Sequence, residues 1–273
     1  MNLALVSILI PTYNSHRFIA QTLDSCLTQK YQNIEIIVGD DCSKDATLDI
    51  IKSYQLHNLK IIASPQNQGL TKNVNNLVRS CLGKYVIILG HDDVLPPHHV
   101  STMVEYFNDP NVGLVHCNAM QIDAEGKKIG FVAKDSEKIR KTKNPMKWLC
   151  FNNFIQSCGL MFRKQAFLDF GGWDESFSYD SEWYTYIRYA EKYRFVYTTK
   201  TYSYYRVHNT NISKYLHTAK RAEFEAYRER CRALAMSKAD LNGLDRVMIR
   251  FKVWRKTLRP AIRRLKTIFI KKD

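Results

Sequence analysis

Two carboxylates stand side by side at Asp92 and Asp93, inside the stretch LGHDDVLPP that covers residues 89–97. They follow the apolar run 85–89, and Pro96 and Pro97 close the exit. Adjacent carboxylates repel, and burying either one without a partner is disfavoured by several kcal/mol. A cation or a set of strong donors is therefore expected to meet them. Two more polar turns repeat the arrangement: PTYN (11–14) follows the apolar run 5–10, and GDDCSKD (39–45) follows 34–38. Carboxylates and amides in such turns can hold a hard divalent ion or accept hydrogen bonds from hydroxyls. Another acidic pair, Asp180 and Glu182, lies in FSYDSEW. A carboxylate so placed can take a proton from an attacking hydroxyl.

The elements that must position these turns are short. Apolar runs at 5–10, 34–38, 59–62, 85–89 and 112–117 read as buried strands. Between them, Phe18, Ile19, Leu23, Cys26 and Leu27 recur with helical spacing, as do Leu48, Ile51 and Tyr54. Continuous apolar strands alternating with amphipathic helices predict an α/β fold, a mainly parallel central sheet flanked by helices. Ligands of such sheets bind beyond the carboxyl ends of the strands, so three polar turns at one edge would line one crevice. Taken alone, Asp40, Asp41 and Ser43 also suit a helix cap.

The chain has 273 residues, 45% of them hydrophobic and 25% charged, which fits a folded protein with a substantial core. Its net charge of +15 is unevenly placed. Eleven Lys or Arg and no acid lie between Arg246 and Lys272, leaving the rest near +4. Seven scattered cysteines with no CxxC pattern point to the reducing cytosol. No apolar run approaches the about 18 residues that span a bilayer, and the opening LALVSILI reads as a first strand rather than a signal peptide.

Six segments in order resemble the family-2 inverting glycosyltransferases, whose fold is the A-type, Rossmann-like nucleotide-sugar-binding fold. They are VSILIPTYN (6–14), IIVGDDCSKDAT (36–47), NQGLTKNVN (67–75), YVIILGHDDVLPP (85–97), GGWDESFSYDSEWYTYIRYA (171–190) and YRVHNTNIS (205–213). The resemblance covers residues about 3 to 215 and implies a catalytic domain over 1–215, with 216–273 as a C-terminal helical, basic extension. It implies that Pro11, Thr12, Tyr13 and Asn14 line a nucleobase pocket, and that Asp40 or Asp41 accepts from the base or ribose. Asn67, Gly69 and Asn75 would form a turn and helix under the diphosphate. Relatives often place an Arg where this chain has Val74, and Lys72 is the residue expected to supply that charge.

The same resemblance explains the opening pair. The family's strand usually ends in an Asp-any-Asp signature that holds a divalent ion, and here Gly90 takes the first position and Asp92 the second. Asp92 is thus the expected ligand of Mg²⁺ or Mn²⁺, while Asp93 orients the site or caps the following helix. His91 is read as a hydrogen-bonded neighbour of the site. His208 is the expected imidazole near the diphosphate or metal, and Arg206 is either a structural partner or a phosphate contact. Inverting transfer needs a base near the acceptor oxygen; Glu182 is expected in that role, with Asp180 the alternative. Trp173 either faces a sugar ring or belongs to the core.

The resemblance implies a nucleotide-sugar donor, UDP-linked on family frequency, and a glycan or lipid-linked acceptor, with a role in bacterial surface polysaccharide assembly. In the tail, Val247, Phe251, Trp254, Leu258, Ile262, Leu265 and Phe269 fall at steps of three and four. Such a basic amphipathic helix reads as an anchor to an anionic membrane surface through 246–272, placing a cytoplasmic protein on the inner face of the cell membrane. The alternative is that the stripe packs on the protein's own body or on a partner. Nucleic acid is not expected, because no binding module accompanies the charge. Two rival readings remain: a degenerate relative that binds nucleotide-sugar without transfer, motivated by Gly90 and Val74, and a basic interaction module.

Overall fold

The computed structural model describes residues 3–132, 139, 141–177, 181–211, 218–249 and 251. Eight strands form one sheet: β1 (Val6–Thr12), β2 (Ile34–Asp40), β3 (Leu59–Ala63), β4 (Tyr85–Ile88), β5 (Val112–Ile122), β6 (Lys128–Phe131), β7 (Met161–Arg163) and β8 (Arg194–Arg206). Their order is β3-β2-β1-β4-β7-β5-β6, with β8 paired to the other edge of β5. Strands β3, β2, β1 and β4 run parallel, β7 is antiparallel to both its neighbours, and β8 runs parallel to β5. The sheet is mixed with a parallel core, as the alternating pattern predicts.

All seven residues of β1 are buried, because the strand lies between two others and is covered on both faces. Alternate side chains feed separate cores. Ile8 and Ile10 meet Ile36, Val38 and Ile87 on one face, under helix α1 (Ile19–Leu27). Leu9 joins Ile37, Val86, Leu114 and Phe162 on the other. Each fully buried aliphatic side chain of this kind contributes about 1.5–3 kcal/mol relative to exposure.

Helix α2 (Thr47–Ser53) follows β2, and α3 (Leu70–Ser80) follows β3. The approach of α3 to the sheet depends on Gly39. A Cβ there would stand 2.4 Å from Asn73 Oδ1 and 2.9 Å from a Leu77 methyl, and Asn73 Nδ2 donates to the Gly39 carbonyl at 2.7 Å. Four short helices complete the body: α4 (His99–Val104), α5 (Pro145–Leu149), α6 (Lys164–Asp169) and α7 (Glu182–Ala190).

Two features exceed the sequence expectation. The run 112–117 continues as strand to Ile122, and β8 pairs along its length. Polar residues interrupt β8, so no apolar run marks it, yet it carries Arg206 to the same edge as the end of β4. Helix α8 (Arg221–Lys238) buries Tyr227, Cys231 and Ala235, spaced four apart, in the core that also holds α5 and α7 residues. The expected division near 215 falls in 212–217, outside the described residues, as does the tail at 250 and 252–273. Among the described residues, no helix is long and apolar enough to cross a membrane.

Candidate functional site

The chain turns from β1 to β2 on one side and to β4 on the other, so a crevice opens where the connections diverge. Register places Thr12 opposite Asp40 and Leu9 opposite Ile88, and the three polar turns leave the sheet along one edge.

The first two turns are stitched together. Asn14, at φ +47°, donates its N–H to Ser43 Oγ at 2.9 Å and accepts from the Lys44 N–H at 2.8 Å. Pro11 and Thr12 are buried, while Tyr13 is 43% exposed. Asp40 and Asp41 are both buried. Asp40 accepts the Ser43 hydroxyl at 2.5 Å and the Ser43 N–H at 3.1 Å. Asp41 accepts the N–H groups of Gln68 and Gly69, each at 2.8 Å, which fixes the turn at Asn67 and Gly69 before α3. Each carboxylate thus holds backbone or serine donors, and each oxygen keeps a second lone pair with which a ligand hydroxyl or imide could be met.

Asn75 also bonds within the protein. It is buried and holds the glycine-rich turn 171–175, donating to the Trp173 carbonyl at 3.0 Å and to Glu175 Oε1 at 2.8 Å, and accepting the Trp173 N–H at 2.9 Å. Val74 lies in the core, and Lys72 is exposed in the first turn of α3. Trp173 is 6% exposed and packs in the core.

The turn after β4 meets the end of β8. Asp92 Oδ2 lies 2.8 Å from His208 Nε2 and accepts Asn211 Nδ2 at 3.2 Å. The Thr210 N–H donates to His208 Nδ1 at 3.3 Å, which leaves the ring proton on Nε2, facing Asp92. Burial pushes the Asp92 carboxyl up, but the His208 hydrogen bond and the His91 and His208 charges outweigh it and hold it below its ordinary value. Asp93 is the opposite case. Burial and then the Asp92 charge push it well above the usual carboxylate range, against the Arg206 N–H that donates to it at 3.0 Å. His91 is half-buried beside them, and Thr22 donates its hydroxyl to the His91 and Asp93 carbonyls, both at 2.9 Å.

Arg206 is 1% exposed, and its guanidinium is taken up by protein acceptors: the carbonyls of Asp92, Asp123 and Ala124, and Gln21 Oε1. These bonds accord with the structural-partner reading of Arg206. Thr22, Gln21 and Asn211 were missed by sequence reasoning. Nothing in their types or spacing singles them out.

The cation question turns on Asp92 and His208. In this structure the two share a hydrogen bond at 2.8 Å; a carboxylate, and an imidazole that gives up that proton, are donor types that a divalent ion such as Mn²⁺ accepts. No group of three His, Cys, Asp or Glu among the described residues could enclose an ion alone. The pair fits a hard ion that takes its other ligands from diphosphate and water.

A cavity of about 140 Å³ opens at this edge. Pro11, Gly90 and Asp93 line it from the strand ends, and Trp173 and Glu182 from the other wall. Glu182 is half-buried at the first position of α7, where the helix N-terminus favours a carboxylate. Asp180 lies outside the described residues.

Comparison with known proteins agrees with this architecture. The sequence model of the family described as glycosyl transferase family 2 matches residues 7–171. An uncharacterized glycosyltransferase of Rickettsia typhi is 30% identical over 194 residues, 69% of this chain and 60% of that protein; the chain thus spans about 60% of the length of the curated relatives it matches first. Among solved structures, Staphylococcus aureus TarS 1–349 in complex with UDP-GlcNAc superposes with a TM-score of 0.68 at 20% identity, covering 90% of this chain and 70% of that one. The mannosyltransferase PcManGT of Pyrobaculum calidifontis, in complex with GDP-Man and Mn²⁺, superposes with a TM-score of 0.61 at 18% identity, covering 94% and 81%.

Proposed function

The chain belongs to glycosyl transferase family 2, and from that premise we propose that it transfers a sugar, with inversion, from a nucleoside diphosphate sugar to a hydroxyl of a glycan or lipid-linked acceptor. The observation that carries the reading is the single cavity that joins Gly90 and Asp93, at the end of β4, to Glu182. Asp92 and His208 would hold a divalent ion, Mg²⁺ or Mn²⁺, which when bound would offset the charge developing on the leaving diphosphate. Tyr13 offers its exposed ring to the base. Arg206 positions Asp92 and Asp93 rather than touching phosphate.

Glu182 takes the proton of the acceptor hydroxyl as that oxygen bonds to the anomeric carbon. The bond from that carbon to the diphosphate oxygen breaks, and the electron pair leaves with the nucleoside diphosphate. UDP is the first nucleotide to test, with GDP and dTDP beside it, and surface polysaccharide assembly is the setting proposed. The test is a thermal-shift series on the purified chain with each nucleotide, with and without Mn²⁺. A metal-dependent rise selective for one nucleotide is expected. No shift with any of them favours the interaction-module reading.

A second reading concerns the tail. Leu244, Val247, Met248 and Phe251 are 69%, 63%, 44% and 54% exposed and fall at i, i+3, i+4 and i+7, one face of a helix. The eleven basic residues of 246–272 accompany this face, and each contributes about 1 kcal/mol near an anionic leaflet. We propose that the face seats on such a surface, on the cytoplasmic side. Co-sedimentation of the full chain with vesicles containing anionic lipid tests it. Binding lost in Val247→Ser with Phe251→Ser, and absent on neutral vesicles, supports the reading; equal recovery with both vesicle types opposes it.

A further inference from the structure

Glu182 opens α7, and the chain on either side of it is gripped by one helix, α8. Five residues before Glu182, the Phe177 ring stacks on the Tyr227 ring, with centroids 4.2 Å apart and planes 5° apart. The Phe177 carbonyl accepts the hydroxyls of Thr71 at 2.9 Å and of Ser181 at 3.0 Å, and Ser181, fully buried, immediately precedes Glu182. One residue after Glu182, the buried Trp183 donates its indole N–H to the Leu149 carbonyl at 3.2 Å. The guanidinium carbons of Arg232 and Arg228 stand 5.4 Å and 5.9 Å from the Trp183 ring centroid, within cation–π range. Arg232 is itself buried and held by the Phe151 carbonyl and by Glu229. Burial first, then Cys231 and then the Glu182 and Asp174 charges push the Tyr227 phenol up, so the base lies within electrostatic reach of that ring.

We propose that α8 is the positioning element of the catalytic base, acting through two contacts: Tyr227 on Phe177 and Arg232 on Trp183. The inference rests on the reading of Glu182 as the base and deepens it. The match to the family model ends at residue 171, so neither Glu182 nor α8 lies within it. A base must sit within hydrogen-bond reach of the proton it takes, and a misplacement of about 1 Å can lower a rate about 10²-fold. Glu182 stands at the first position of a helix of nine residues, and helix ends fray unless something holds them. The stack of Tyr227 on Phe177 fixes the chain that enters α7. The contact of Arg232 with Trp183 fixes its first turn. Arg228 and Arg232 lie one turn apart on α8 and so reach the same ring, while Tyr227, next to Arg228 in the chain, reaches the segment before α7.

Nucleotide release from UDP-N-acetylglucosamine and from GDP-mannose, the donors carried by the compared structures, tests the inference on the full chain with Mn²⁺, water serving as the acceptor. Tyr227→Leu removes the stack and is expected to lower kcat at least about tenfold, with donor affinity by calorimetry within about twofold of the native chain. Tyr227→Phe keeps the stack and should recover most of that loss. Arg232→Met should lower kcat in the same way, and it carries the test should Tyr227→Leu not fold; melting curves establish which variants are folded. A folded Tyr227→Leu or Arg232→Met chain with native kcat overturns the inference. So does an equal loss of kcat and donor affinity, the mark of a generally loosened fold. Glu182→Gln is measured beside them. Native turnover in Glu182→Gln overturns the base reading and the inference with it, whereas turnover lost there but kept in Tyr227→Leu and Arg232→Met overturns the inference alone. A native chain that releases neither nucleotide overturns the transfer reading itself.

Discussion

His208 Nε2 stands 2.8 Å from Asp92 Oδ2, joining the loop after β4 to the loop after β8 across 116 residues of sequence. The contact depends on Arg206, whose N–H and guanidinium tie β8 to Asp93 and to the Asp92 carbonyl. Asp92→Asn keeps the shape and removes the charge. Turnover is expected to fall about 10²–10³-fold, the scale for losing an electrostatic stabiliser, with little change in melting temperature. His208→Ala should raise the Mn²⁺ concentration needed for half-maximal activity. Steady-state rates across a metal titration read both.

Gly90 occupies the position where the family signature begins, and the structure gives a steric reason against restoring the acid. A Cβ at residue 90 would stand 2.9 Å from both Asp92 Oδ1 and Asp93 Oδ2. Gly90→Asp would add a third carboxylate against two others, one of them already pushed well up by burial and its neighbour. The variant is expected to lose about 1–3 kcal/mol by overpacking alone, read by urea denaturation, and to gain no activity. A variant at least as stable and more active contradicts this account.

Gly172 adds backbone strain to close contact. Its φ is +78°, and a Cβ would stand 2.7 Å from Asn75 Oδ1, the atom that accepts the Trp173 N–H. Gly172→Ala should destabilise by about 2–4 kcal/mol from the two effects together, seen as a lowered denaturant midpoint. An unchanged midpoint would mean that the 171–175 turn relaxes freely.

His99 sets an acid limit on the fold. Its ring is fully buried, with Nε2 2.6 Å from the Gly159 carbonyl and Nδ1 3.1 Å from the Thr201 hydroxyl. Burial, opposed by the Gly159 hydrogen bond, pulls its pKa down from 6.5 to about 4. The folded chain therefore holds the neutral ring, while the unfolded chain binds a proton below pH 6.5. Stability is fully present above that pH and is lost as pH falls toward 4, by about 3 kcal/mol in all. Denaturation midpoints between pH 7 and 4 should show this slope, and His99→Gln should flatten it.

Much of the fold was legible because buried parallel strands are written as continuous apolar runs: β1, β2 and β4 fall where residues 5–10, 34–38 and 85–89 place them. Strand β8 was not, since its lysine, threonine and serine residues interrupt any such run and its pairing with β5 is a tertiary fact. At the site, residue type announced which side chains could do chemistry but not which way they point. Asp40, Asp41, Asn75 and Arg206 all have the right types for ligand contact, yet each is buried and hydrogen-bonds to neighbouring loops. Of the residues that support Asp92 and Arg206, Thr22 and Gln21 lie outside every motif quoted above, and Asn211, although inside YRVHNTNIS, carries no type or spacing that marks its role.

The central claim is that Glu182 takes the acceptor proton at a site whose donor end is Asp92. Glu182→Gln preserves size and hydrogen-bonding reach while removing the base. Donor affinity by calorimetry is expected to stay within about twofold of the native chain, while kcat falls about 10²–10⁴-fold, the range for general-base catalysis. Native turnover in Glu182→Gln, with donor binding intact, would contradict the account and move the base elsewhere.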